Sequence, residues 1–125
     1  MVEMLFIQPK SGEYNVSEVE NYLSMMPFVI RDPRDSFGPF MLCGNKVSCD
    51  YAREKRLSTG EFAYMCLVAV ERQMITIRQL CEDDKLVQSR QFVAWLLERY
   101  DCRITDDNGN DWTDACRKSL DVLYQ

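Results

Sequence analysis

Glu61-Phe62-Ala63-Tyr64-Met65-Cys66-Leu67-Val68-Ala69-Val70-Glu71-Arg72-Gln73-Met74-Ile75-Thr76-Ile77-Arg78-Gln79-Leu80 is the stretch that decides the fold. Phe62, Tyr64, Cys66, Val68 and Val70 alternate with Ala63, Met65, Leu67 and Ala69, so both faces of this run are apolar. Such a strand is covered on both sides and sits in the middle of a sheet. Glu71-Arg72-Gln73 is a short polar turn. Ile75 and Ile77 then alternate with Met74, Thr76 and Arg78, the period of a returning strand with one exposed face. The turn lacks the favoured Asn-Gly pair, so its type stays open.

Toward the N-terminus, Leu5-Phe6-Ile7 ends at Pro9 and predicts an internal strand over residues 3–8. Ser17-Glu18-Val19-Glu20 reads as a capping box, and Val16, Val19, Tyr22, Leu23 and Met26 follow at helical spacing. Pro27 stops that helix, because the residue before a proline is pushed out of the helical region. Phe28-Val29-Ile30 and Phe40-Met41-Leu42-Cys43 predict two strands around a charged turn containing Pro33. Residues 47–57 carry few apolar anchors and fit either a short helix or a long edge strand.

Toward the C-terminus, Asp83 or Asp84 is the expected cap of a second helix, which continues with Leu86, Val87, Val93, Leu96, Leu97 and Tyr100. Its wide apolar face calls for burial between the sheet and another surface. Residues 101–105 read as a final strand and 106–111 as a polar turn. Thr113 is the expected cap of a terminal helix through Ala115, Cys116, Leu120, Val122 and Leu123.

This order predicts one α+β domain over residues 1–125. Its sheet is mainly antiparallel, of about five or six strands, with two or three helices, in a ferredoxin-like or related split βαβ arrangement. Many unrelated functions share that architecture.

Composition narrows the function further. The 125 residues are 46% hydrophobic and 28% charged, as in globular proteins. Fifteen Lys plus Arg against twenty Asp plus Glu leave a net charge of −5, which disfavours nucleic acid and anionic membranes as partners. There is no histidine, which removes Ser-His and Cys-His catalysis and imidazole metal sites. The apolar run Met4 to Ile7 is too short for a signal-peptide core, and Phe62 to Val70 is about half a membrane span, so the expected location is cytoplasmic. Cys43, Cys49, Cys66, Cys81, Cys102 and Cys116 are spread evenly, without a Cys-x-x-Cys pair, and read as reduced, mostly buried thiols. No cofactor is implied.

Each constellation that could carry chemistry has a plainer reading. Asp106, Asp107, Asn108, Asn110 and Asp111 resemble a cation loop, but setting Gly109 at the sixth position of an EF-hand puts Ile104 at the first, where it cannot ligate. The stretch reads as an Asx-rich turn. Arg53, Lys55 and Arg56, interrupted by Glu54, read as a solvated face. Glu82, Asp83 and Asp84 suit a helix N-terminus better than paired-carboxylate catalysis, and they oppose ionisation of Cys81. Trp95 reads as core. Trp112 reads as a hydrophobic staple or as a partly exposed anchor.

Two function classes follow. The first is a non-catalytic interaction module: an adaptor, a complex subunit, or a neutraliser of a basic partner in the manner of an immunity protein. Its surface would be Asp106, Asp107, Asp111 and Trp112. The second is a small-molecule binding domain or minor enzyme, with a pocket under segment 44–60 lined by Tyr51, Tyr64 and Met65. The apolar strand and the broad second helix ask for more cover than three helices give, which fits a homodimer.

Overall fold

The computed structural model describes residues 1–32, 39–59, 66–79 and 83–125. Six strands form one sheet: β1 (Met4–Pro9), β2 (Val29–Arg31), β3 (Phe40–Leu42), β4 (Cys66–Val70), β5 (Ile75–Gln79) and β6 (Cys102–Asp106). The helices are α1 (Val16–Met25), α2 (Lys46–Thr59), α3 (Asp83–Arg99) and α4 (Thr113–Lys118), followed by a 3-10 turn over Leu120–Leu123. The strand order is β2-β3-β4-β5-β1-β6, and every neighbouring pair is antiparallel. The protein is therefore of the α+β class. β5 and β6 lie on either side of β1, each antiparallel to it, so they run the same way, and α3 connects them.

The period-two reading holds where it can be followed. In β4, Cys66, Leu67 and Val68 are all buried, and β5 alternates buried Ile75, Ile77 and Gln79 with Thr76 and Arg78. Residues 62–65, the first half of the two-faced run, lie outside the described residues. One sheet face carries Leu5, Ile7, Leu42, Val68, Ile75, Ile77 and Ile104 into the main core. Val19 and Leu23 of α1, Phe92, Val93 and Leu96 of α3, Cys116 and Leu123 pack there. The other face carries Ile30, Met41 and Leu67 against Cys49 and Ala52 of α2. Segment 47–57 is thus helix, docked by two small residues three positions apart. No described helix is long and apolar enough to cross a membrane.

Several local expectations are corrected. Asn15, not Ser17, caps α1: its side chain accepts from Glu18 N at 3.1 Å. Glu20 is then free to meet Arg31 at 3.2 Å. Asp83 and Asp84 lie inside the first turn of α3 rather than before it. Thr113 begins α4 rather than capping it, and its N–H and hydroxyl both donate to Asp111. The terminal helix breaks at Ser119, whose extended backbone separates α4 from the 3-10 turn.

The largest correction concerns α3. Phe92, Val93 and Leu96 are fully buried and set the helix's rotation. Counting back at 3.6 residues per turn puts Lys85, Gln88 and Ser89 on the buried stripe, and all three are buried. Val87, expected inside, is 56% exposed.

The two glycines Gly12 (φ 71°) and Gly44 (φ 80°) separate backbone strain from crowding. A Cβ on Gly12 meets nothing within 4 Å, whereas one on Gly44 would stand 2.7 Å from Cγ of Asp84. Gly12→Ala should cost about 1 kcal/mol for the left-handed backbone alone. Gly44→Ala should cost at least about 1 kcal/mol more, because Asp84 must move off Asn45. Urea unfolding checks this; equal losses would show that Asp84 is not fixed against Gly44.

Candidate functional site

The acidic loop is held together by one carboxylate. Asp106 ends β6 on the core side and is only 8% exposed. It accepts from Asn108 N and Asn110 N at 2.9 Å each, from Asn110 Nδ2 at 3.0 Å and from Trp112 Nε1 at 2.9 Å. These donors, the indole first, hold the Asp106 carboxyl down at about 2. Gly109 supplies the left-handed residue (φ 82°) that closes the loop. Asp111 accepts from Thr113, and from Arg103 Nε at 3.1 Å, which lowers its proton affinity too. The loop also seals the outer edge of β6, because Trp112 N donates to Ile104 O and Thr113 Oγ1 accepts from Ile104 N.

Of the four surface residues expected in sequence, Asp106 and Trp112 therefore form an internal pair. Asp107 and Asp111 stand exposed beside them. Of the three expected pocket residues, Tyr51 lies on α2 with 45% of its surface exposed, and Tyr64 and Met65 lie outside the described residues. Cys81 and Glu82 also lie outside them.

The five described cysteines are free and buried. Burial pushes the Cys43 thiol up to about 12, with Cys49 beside it adding to the effect. Burial likewise pushes Cys116 up to about 11 and raises Cys102. None of these three thiols is poised as a nucleophile. A groove of about 540 Å³ runs between the end of α3, β6 and α4, over Leu97, Ile104 and Leu120. Its two arginines are engaged by carboxylates: Arg99 with Glu18 at 2.9 Å, and Arg117 with Asp101 and Asp114 at 3.9 and 3.7 Å.

A second constellation was not visible in the sequence. Gln88 of α3 reaches two remote segments: its Oε1 accepts from Gly44 N at 2.8 Å, and its Nε2 donates to Pro27 O. Asn45 caps α2 by accepting from Ser48 N, and donates to Asp84 of α3. Lys85 Nζ lies 3.5 Å from Ser48 Oγ and 3.7 Å from Asp84. Three chain segments thus converge on Gln88: the turn after α1, the start of α2 and the start of α3.

At this convergence the turn residue is Phe28, with φ 58°. Pro27 followed by a positive-φ residue is a turn that glycine usually fills. A bulky residue there is an outlier that needs its surroundings to hold it. Cys43 N donates to Phe28 O at 2.9 Å, and Gln88 holds Pro27 O, so both carbonyls of the turn are fixed. The ring is not stowed in the core: Phe28 is 41% exposed. Met25, Val47 and Val87, each within two residues of this junction, are 85%, 80% and 56% exposed. Four exposed apolar side chains thus lie within three residues in sequence of Pro27, Gly44 or Gln88.

No family model, no curated protein and no solved structure matches this chain.

Asp106 generates a pH prediction. A folded-state value below the ordinary 3.8 means stability that is full above about pH 4 and lost as the pH falls toward 2. Asp106→Asn should lower the urea midpoint at pH 7 and flatten its decline between about pH 4 and 2. An unchanged acid slope in this variant would show that the loop does not depend on the carboxylate.

Proposed function

We propose that the chain is a protein-interaction module without catalytic activity, and that it docks through the apolar end around Phe28. The observation that carries this reading is a phenylalanine held in a left-handed turn with 41% of its surface exposed. A core gains little from a strained residue whose side chain it leaves two-fifths exposed. A partner does, because an exposed aromatic fixed in one orientation loses little entropy on binding. Met25, Val47 and Val87, each near in sequence to Pro27, Gly44 or Gln88, are exposed as well. Clustered exposed apolar groups on a small domain mark recognition surfaces.

The absence of histidine and the raised values of Cys43, Cys102 and Cys116 support the non-catalytic half of the reading. So does the state of the acidic loop, whose carboxylates Asp106 and Asp111 are kept ionised by fixed donors. Ionised and hydrogen-bonded, they are poor proton donors and serve the turn. Asp107 stands exposed at the far edge of the sheet, beside β6, where it would be a second point of contact for a basic partner.

Native mass spectrometry of the protein, gently purified from its own source, tests the reading. A second protein chain in fixed ratio is expected, and Phe28→Asn should abolish it. The same variant should change folding stability by no more than about 1 kcal/mol, since asparagine tolerates the left-handed region. A bare chain carrying a small-molecule mass would favour a ligand-binding domain instead. Retention of the partner by Phe28→Asn would move the interface elsewhere.

A further inference from the structure

Asn108-Gly109 is the one Asn-Gly pair in the chain; Asn15, Asn21, Asn45 and Asn110 precede Val16, Tyr22, Lys46 and Asp111. An asparagine followed by glycine carries its own reaction. The glycine amide nitrogen, losing its proton to water, attacks Cγ of the asparagine side chain. Ammonia leaves and a five-membered imide closes. Water then opens the imide at one carbonyl or the other. One opening gives aspartate. The other gives isoaspartate, whose backbone runs through the former side chain and is one methylene longer. Amide and water are consumed, carboxylate and ammonium are produced, and no oxidant takes part. Glycine permits the attack because no Cβ shields its nitrogen.

The fold presents the reacting side chain and restrains the reacting nitrogen. Asn108 is exposed, and its side-chain amide has no hydrogen-bond partner among the described residues. A Cβ on Gly109 would meet nothing within 4 Å, so the approach is open. Gly109 N, however, donates to Asp106 O at 3.2 Å, and Asn108 N donates to Asp106 Oδ1 at 2.9 Å. The same Oδ1 accepts from Asn110 N at 2.9 Å. Asp106 thus pins the backbone on both sides of the bond that must turn. Reaction requires the turn to open, so its rate follows the opened fraction. The other asparagines are engaged. Asn15 caps α1, Asn45 lies between Ser48 and Asp84, Asn110 Nδ2 donates to Asp106, and Asn21 lies within α1.

We infer that Asn108 is this chain's site of spontaneous deamidation, and that the Asp106 turn both delays the reaction and is undone by it. Isoaspartate at 108 adds a backbone atom between the two amides that share Asp106 Oδ1, so the two no longer fit that oxygen together. The seal of β6, the last strand of the sheet, follows directly in the chain: Trp112 N donates to Ile104 O at 2.8 Å, and Ile104 N donates to Thr113 Oγ1 at 3.0 Å. Loosening the turn releases those backbone groups on an edge strand, where they are a template for pairing with another chain. Aspartate, the product of the other opening, keeps the backbone and leaves the seal in place. The acidic loop and the Phe28 turn are separate sites, and this chemistry needs no partner.

The test is incubation of the full chain at neutral pH, followed by peptide mapping with mass spectrometry. In the folded chain, conversion of amide to acid should fall first on Asn108. It should run about tenfold or more slower there than in the same chain unfolded in urea. Asp106→Asn should speed it by about fivefold or more, because charge-assisted hydrogen bonds that hold the turn are lost. Chain bearing isoaspartate, made in urea and refolded, should exchange the Ile104 amide hydrogen faster than the unmodified chain. Asn108→Asp, which adds the charge without the methylene, should not. Should circular dichroism show Asp106→Asn unfolded, the comparison of folded with urea-unfolded wild-type chain decides. Earlier conversion at another asparagine, equal rates in the folded and unfolded chain, a folded Asp106→Asn that reacts no faster, or full protection of Ile104 in the isoaspartate chain would each overturn the inference.

Discussion

The rotation of α3 is the constraint from which most of this structure follows. Phe92, Val93 and Leu96 must face the sheet, and a helix cannot turn one end independently of the other. The first turns of α3 therefore carry Lys85, Gln88 and Ser89 inward. A buried polar group left without a partner is costly, so each of these residues draws a remote segment toward it. Ser89 donates to Gln79 of β5, which in turn donates to Val2 O. Gln88 ties Gly44 to Pro27, and Lys85 reaches Ser48. The polar end of α3 acts as a clasp for segments that would otherwise be loops.

That clasp also explains why a strained residue survives at Phe28. A positive φ on a bulky residue costs about 1–2 kcal/mol and relaxes unless the neighbours forbid it. Here the carbonyls on both sides of the turn are bonded to groups that belong to other elements. Met25, Val47 and Val87, close in sequence to the residues of this convergence, stay outside the core. The exposure of Val87 and the buried polar stripe are two consequences of one helix phase.

Much of the fold was legible because it depends on local periodicity. Alternation in residues 66–79, the internal strand at Leu5 to Ile7, the stop at Pro27 and the Asx-rich turn at 106–111 each express a short-range rule. The misreadings cluster at element ends. Ser17 looked like a cap, but Asn15, two residues earlier, makes the bond. Val87 looked like core because its type was weighed without the phase set five residues later by Phe92. The candidate surfaces were less legible still. Trp112 reads in the sequence as a staple or a partly exposed anchor; that its indole also serves Asp106 inside the loop is seen only in the structure. Phe28 gave no signal, since a positive φ cannot be read from a Pro-Phe pair.

The amino-acid sequence by itself determined the α+β class, the antiparallel pairing around β4 and β5, the net negative charge and the exclusion of histidine chemistry. These depend on composition and on patterns spanning a few residues, which no later packing can change. Only the tertiary structure decided that segment 47–57 is a helix, that it covers half of one sheet face, and that Pro27, Gly44 and Gln88 meet. Those outcomes rest on contacts between residues as far as 61 positions apart, the separation of Pro27 from Gln88. Weak local preference in 47–57 was resolved by what Ile30, Met41 and Leu67 needed against them. Pairings at that range are set by the whole core's demand for cover and for satisfied polar groups.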